Sequence, residues 1–377
     1  MLLLTNGRVF INGIFDKKPI LICHGKILNF QNVTESCRKE LHIEVVDCSD
    51  KYIIPGLIDP HLHLAGGSGE QGGFASQSNR ILVSECIEGG ITTAVGTIGV
   101  DTTTITMRAL MASVKALNES GISAYAYTGG YDMPPKTLLN SVRDDIVFVS
   151  EIIGVGEIAI ADRRAAEPSV QELAKVCVDA YVAGMLTAKC GITHVHVGSG
   201  RKRLETLNLL LNDYEIIPQQ LYLTHLERSE PLIQDGIQLA KHGCFIDFDV
   251  SRLDLEKSFL IFKNSDGPKS QLSFSSDAGI GSPKDLWQEI RKCVLNFNFT
   301  LEELLPHVTS VPARVLKLKD KGQLVPGCAA DLVFIDQKDL EIVHVMSCGK
   351  WLMQNKKMQF PDRPFRNRRR IDLYEIS

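Results

Sequence analysis

Metal-binding side chains recur at the ends of five apolar, strand-like runs of this chain. They are His61 and His63, Glu157, His194 and His196, His225, and Asp277. The clearest run reads Ile53-Ile54-Pro55-Gly56-Leu57-Ile58-Asp59-Pro60-His61-Leu62-His63-Leu64. Alternate residues of a strand face the same side, so His61 and His63 project together. Two neutral imidazoles on one rigid face make half of a metal site. A single histidine is more often a satisfied core or surface residue, but repetition at five strand ends favours ligands. With one histidine counted from the 194/196 pair, four histidines and two carboxylates, with nothing softer, suit zinc, with cobalt or manganese as alternatives. Six protein ligands exceed what one catalytic ion with an open position takes. Two ions sharing a bridging carboxylate and a hydroxide fit better.

Something rigid must bring these distant positions to one place. Strand-like runs occur at 57–63, 91–97, 122–128, 152–160, 192–197, 220–226, 244–248 and 272–277. Helix-like stretches lie between most of them, at 103–118, 169–188, 204–212, 232–241 and 282–296. A further stretch, 301–308, follows the capping-box pair Thr300 and Glu303. The alternation predicts an α/β fold, a (β/α)8 TIM-like barrel, whose chemistry sits at the C-terminal ends of the strands. A doubly wound open sheet lacks support, because no GxGxxG follows the first of these strands. The first fifty residues read as short strands (2–5, 8–11, 19–23, 26–30 and 42–47) joined by Asn6-Gly7 and His24-Gly25 turns. They are too few to stand alone. The far end has the same character, at 322–327, 330–336, 342–346 and 349–352. The expected organisation is a small β-sandwich domain from both termini (1–53 plus 318–377), with the barrel (54–317) inserted.

A chain of 377 residues can bury a large core, and its formal net charge of −4 argues against non-specific nucleic-acid binding. The basic tail 363–370 reads as a solvated or subunit-contacting segment. The ten cysteines form no CxxC pair and fit reduced thiols. No stretch is long enough for a membrane span, and the N-terminus lacks the basic region of a signal peptide. The expectation is a cytoplasmic protein.

Further motifs narrow the reading: Gly66-Gly67-Ser68-Gly69-Glu70, Thr128-Gly129-Gly130-Tyr131, Asp162-Arg163-Arg164, His196-x-Gly198, Thr224-His225, Ser275-Ser276-Asp277 and Pro326-Gly327-x-x-Ala330-Asp331. With Pro55-Gly56-x-x-Asp59-x-His61-x-His63, they make the chain resemble the amidohydrolase superfamily. Within it, the chain resembles the isoaspartyl (β-aspartyl) dipeptidases of metallopeptidase family M38. The GGxGE loop, the Tyr131 segment and the paired arginines carry the narrower resemblance. It implies that His61, His63 and Asp277 hold one ion and that His196 and His225 hold the other. It also implies that Tyr131 polarises the scissile carbonyl. In the same reading Gly69 and Glu70 receive the substrate's α-ammonium, while Arg164, Arg228 and Ser282 hold its carboxylates. His194 is then structural.

Two departures stand out. Similar enzymes bridge their metals with a carboxylated lysine on strand four, yet no lysine occurs between Lys136 and Lys175. Counting back from Asp162-Arg163-Arg164 puts Glu157 there, preceded by Gly154-Val155-Gly156. Glu157 is therefore expected to bridge the ions directly, with Gly156 allowing a bulge or close approach. Val100 stands where related dipeptidases tend to carry threonine; the lost hydrogen bond is worth about 0.5–1.5 kcal/mol, enough to retune specificity.

The activity implied is metal-dependent hydrolysis of the isopeptide bond in β-aspartyl dipeptides by a metal-bridging hydroxide, with Asp277 as general base and then acid. Self-association into a homo-oligomer is expected for this superfamily. The alternatives are a cyclic-amide hydrolase of the dihydroorotase or hydantoinase type, and a catalytically inactive scaffold relative.

Overall fold

The computed structural model describes residues 1–28, 35–67, 72–165, 167–252, 254–279 and 281–359. Seven short strands open the chain: β1 (Leu2–Thr5), β2 (Arg8–Ile11), β3 (Ile14–Asp16), β4 (Ile20–Cys23), β5 (Lys26–Leu28), β6 (Glu44–Asp47) and β7 (Lys51–Pro55). Eight more form a parallel sheet in consecutive order: β8 (Leu57–Leu62), β9 (Ile91–Gly96), β10 (Ser123–Thr128), β11 (Ile152–Ile160), β12 (Ile192–Val197), β13 (Leu221–Thr224), β14 (Phe245–Asp249) and β15 (Leu272–Ser275). Four close the chain: β16 (Leu332–Asp336), β17 (Ile342–Ser347), β18 (Lys350–Gln354) and β19 (Lys357–Met358).

Seven strands of the parallel sheet are buried along their whole length, β10 is buried except at Ser123 and Tyr125, and each strand is followed by a helix. That burial on both faces explains why these strands read as apolar runs. The sheet curls into a TIM-like barrel whose seam lies between β8 and β15. There Leu62 bridges Ala278, the Asp277 amide donates to the His61 carbonyl (3.1 Å), and the His63 amide donates to the Ala278 carbonyl (2.8 Å). The seam is thus stitched by the backbone of three ligand candidates, which fixes their relative height.

The small sheets come from both termini. One has the order β5-β4-β1-β6, the other β19-β18-β17-β16-β7-β2-β3. Strands β7 and β16 pair antiparallel with Ile53 opposite Phe334, joining the two ends of the chain. Leu4, Ile22 and Ile27 of the first sheet share a core with Ile53, Phe334 and Met346 of the second. Strand β7 passes directly into β8 through Gly56, where any side chain would collide with Thr92. The His61 strand is therefore anchored at its root by the sandwich.

Some local expectations shift. The helix expected from Thr103 begins at Met107, because Asp101 captures the amides of Thr103 (3.0 Å) and Thr104 (2.8 Å) in a turn. Thr106 then caps the helix by accepting from the Ala109 amide at 3.2 Å. Helices Val83–Glu88, Val142–Phe148 and Leu255–Asn264 were not anticipated, nor was β3, which pairs with β2 across the Asn12-Gly13 turn. Both turn residues have positive φ (52° and 84°), as a two-residue hairpin requires.

His307 provides a pH-linked probe of this core. It is buried against Phe259 and Phe274, and its Nδ1 donates to the Leu272 carbonyl at 2.7 Å. Burial pushes its pKa down to about 4. The unfolded chain binds this proton from about pH 6.5 downward and the folded chain does not, so stability is lost as pH falls from 6.5 to 4. The expected loss from this group is about 3 kcal/mol. Urea titrations of His307→Gln should show a shallower decline than the parent over that window, and equal slopes would contradict the assignment.

Candidate metal centre and active site

At the C-terminal mouth of the barrel lies a cavity of about 280 Å³, walled by His63, Gly67, Tyr131, Glu157, Arg164, His196, His225, Arg228, Ser251, Asp277, Gly279 and Gly281. A larger hollow of about 890 Å³, beside Lys189 and Arg314, holds none of the ligand candidates. Glu157 is central to the smaller one. Its Oε1 lies 2.7 Å from His196 Nδ1 and 3.1 Å from His225 Nε2, and its Oε2 lies 3.3 Å from His61 Nε2. Asp277 Oδ1 faces His61 Nε2 (3.4 Å) and His63 Nε2 (3.2 Å). Two triads follow, His61–His63–Glu157 and Glu157–His196–His225, and they share the Glu157 carboxylate.

Strand geometry explains how Glu157 reaches this point. The pairing of β11 with β12 shifts register between Val155 and Ile158, a bulge centred on Gly156 and Glu157. A Cβ at Gly156 would lie 2.7 Å from the His194 carbonyl oxygen, and φ there is +154°. Only glycine lets the strands approach this closely. His225 (φ 69°) and Asp277 (φ 48°) also have left-handed backbones. Each conformation costs a non-glycine residue about 1–2 kcal/mol, a cost tolerated here by the surrounding bonds.

Those bonds also set the ring orientations. His225 Nδ1 donates to Asp249 Oδ2 at 2.6 Å, leaving Nε2 aimed at Glu157. His61 Nδ1 faces the Thr224 hydroxyl at 3.4 Å, and that hydroxyl donates to Asp247 Oδ2 at 3.0 Å. His196 Nε2 faces Asp162 Oδ2 at 3.1 Å, which frees Nδ1. Asp59 Oδ1 accepts from the amides of His61 (3.3 Å) and Ser276 (3.2 Å), clasping β8 to the loop after β15. Carboxylate–histidine pairs of this kind fix the tautomer of a metal ligand and raise its basicity.

The donor set fits divalent cations. His61 Nε2 and Glu157 Oε2 are both buried and face each other, yet neither makes a hydrogen bond among the described residues. Burial alone would raise the Glu157 pKa, but His61, His196 and His225 hold it well below the ordinary carboxylate range. Asp277 is likewise lowered, burial being outweighed by His61 and His63. The mouth therefore presents two anions and four imidazole nitrogens to one small volume.

The remaining expected residues divide. The Tyr131 hydroxyl lies 2.6 Å from His196 Nδ1. The Arg164 guanidinium stacks on the Tyr131 ring at 5.5 Å and grips Asp162 at 2.7 Å. Arg228 donates to the Val197 carbonyl (3.1 Å) and faces His196. Ser282 is not among the lining residues; its hydroxyl accepts from the Lys284 amide at 3.4 Å, at the start of the helix Lys284–Phe297. Val100 lines a neighbouring cavity. Gly69 and Glu70 lie outside the described residues, as does the basic tail. His194 is packed below the site between Tyr127 and Tyr222.

Residues 52–189 and 256–352 match the amidohydrolase family. The chain belongs to that family. A β-aspartyl dipeptidase from Fervidobacterium islandicum AW-1, crystallised in complex with a β-Asp-Leu dipeptide, superposes with a TM-score of 0.89. It is 34% identical over 96% of this chain and 98% of its own. An adenine deaminase from Clostridium perfringens strain 13 is 22% identical over 94% of this chain and 59% of its own length. The chain thus spans about three-fifths of that relative. A dihydroorotase from Pediococcus pentosaceus is 21% identical over 89% of each chain. Full-length likeness at the higher identity places this amidohydrolase with the β-aspartyl dipeptidases. No helix among the described residues is long and apolar enough to cross a membrane.

Asp249 was not anticipated as part of the site. It also accepts from the Ser251 amide (3.0 Å) and stands beside Glu227, so it is well positioned to hold His225. Asp249→Asn should weaken metal affinity about 10- to 100-fold while preserving the fold. Chelator competition followed by metal analysis checks this, and unchanged affinity would remove Asp249 from the site.

Proposed function

We propose that this amidohydrolase cleaves the β-aspartyl isopeptide bond of small dipeptides, using two divalent ions bridged by Glu157. The observation that supports it most is the Glu157 carboxylate set between two histidine pairs, with Tyr131, Arg164 and Arg228 on the same cavity wall. His61, His63 and Asp277 would hold one ion, and His196 and His225 the other. Zinc suits the donors best, with cobalt or manganese as alternatives. Once bound, such ions supply a nucleophilic oxygen at neutral pH and Lewis acidity toward the carbonyl.

The chain's own groups do the rest. Asp277, anionic and open to the cavity, accepts the nucleophile's proton and returns it to the leaving amine. The Tyr131 phenol donates to the charge developing on the carbonyl oxygen. Arg164 and Arg228 offer planar forks to the substrate's carboxylates. Glu70, with Gly69, is proposed to receive the α-ammonium, and Ser282 to help hold a carboxylate. Two cations and one anion around the scissile bond match a free α-amino group, a free α-carboxylate and a C-terminal carboxylate.

The dihydroorotase likeness favours one competing reading, a cyclic-amide hydrolase with the same ligand set. A panel of β-aspartyl dipeptides, dihydroorotate and hydantoins, assayed with the zinc-loaded chain, separates the two. Turnover of the dipeptides alone is expected. Turnover confined to the cyclic amides would overturn the proposal.

A further inference from the structure

The side chain of the residue that follows the β-aspartyl group has no partner in the reaction proposed above. Arg164 and Arg228 form a wall common to the cavity that holds the ligand candidates and a second cavity of about 790 Å³. Arg163 and Arg252 also line that second cavity, together with Asp101 and Asp162. It therefore holds four guanidinium groups against two carboxylates.

Both carboxylates are already engaged. Asp162 accepts from Arg164 through both oxygens, at 3.0 and 2.7 Å, and faces His196. Asp101 accepts from the amides of Thr103 and Thr104 and from the Gln77 side chain. Arg163 and Arg252 are exposed and make no ion pair among the described residues. Val100 adds an apolar patch beside them. Two outer guanidinium groups thus face a space that begins where the substrate's carboxylates are proposed to bind.

We propose that this cavity receives the side chain of the dipeptide's C-terminal residue and favours an acidic one, so that β-Asp-Glu and β-Asp-Asp are preferred substrates. The proposal rests on the β-aspartyl reading. A carboxylate there gains charge-assisted hydrogen bonds from planar forks, whereas a lysine side chain meets like charge. Because Arg163 and Arg252 are solvent-exposed, the discrimination is modest, about three- to tenfold. It is also electrostatic, so salt should erode it.

The test compares kcat/KM for the isosteric pair β-Asp-Glu and β-Asp-Gln on the full, zinc-loaded chain. A three- to tenfold preference for β-Asp-Glu is expected at low salt, shrinking toward unity at about 0.5 M NaCl. In the double variant R163Q/R252Q the ratio should approach one at every salt concentration. Because each ratio is measured within one protein, partial misfolding of the variant cancels. Equal rates for the two peptides, or a preference that survives R163Q/R252Q, would overturn the proposal while leaving β-aspartyl hydrolysis intact. Failure to cleave any β-aspartyl dipeptide would overturn the underlying reading and the proposal with it.

Discussion

Glu157→Gln is expected to lose at least one of the two proposed metal ions per chain and to lower kcat/KM about 10³-fold or more. The substitution keeps the shape of the side chain and removes only its charge. Glu157 is 1% exposed and faces nitrogen atoms of His61, His196 and His225 within 3.3 Å. A neutral amide there could not balance the two proposed divalent cations, and its NH2 group would point a donor at one of them. With the Glu157 side chain as the proposed bridge, the parent enzyme should show no dependence on added bicarbonate, unlike an enzyme that must carboxylate a lysine. Metal analysis of the purified variant and assays in carbonate-depleted buffer check both statements. A variant that keeps two ions and full rate would assign the bridge elsewhere.

Tyr131→Phe is expected to act on rate alone. The phenol lies 2.6 Å from His196 Nδ1, at the edge of the cavity where the scissile carbonyl is proposed to sit. Removing one such donor should lower kcat about 10²–10³-fold. Metal content should hold at the parent level, since the hydroxyl is not among the proposed ligands. Steady-state kinetics alongside metal analysis separates these effects. Equal turnover in parent and variant would take Tyr131 out of the mechanism, and parallel loss of metal would make it structural.

The eight barrel strands were legible because a parallel sheet covered on both faces must be apolar throughout. The ligand candidates were legible because β8 and β12 present histidines at i and i+2. Less legible were the groups that orient them. Asp247-Phe248-Asp249 at the end of β14 repeats the alternation of His61-Leu62-His63, but with two aspartates it reads as an ordinary polar strand end. The same alternation, applied to carboxylates as well as histidines, would have found Asp249. Helices such as Val142–Phe148 span only two turns, too short for periodicity to register. Ser282 was set beside the substrate by the family resemblance alone, and its hydroxyl accepts from the Lys284 amide. Val100 was singled out as a departure, and its place in the arginine-lined cavity gives that departure a physical setting.

β-Aspartyl specificity is tested by one comparison: hydrolysis of β-Asp-Leu against its α-linked isomer, with the zinc-loaded chain and with the same chain after chelation. The two peptides share composition and charge and differ only in which carboxyl forms the amide. Rapid cleavage of the β-linked peptide is expected, with at most slow cleavage of the α-linked one and loss of both on chelation. Equal cleavage of the isomers, or full activity after complete metal removal, would contradict the proposed function.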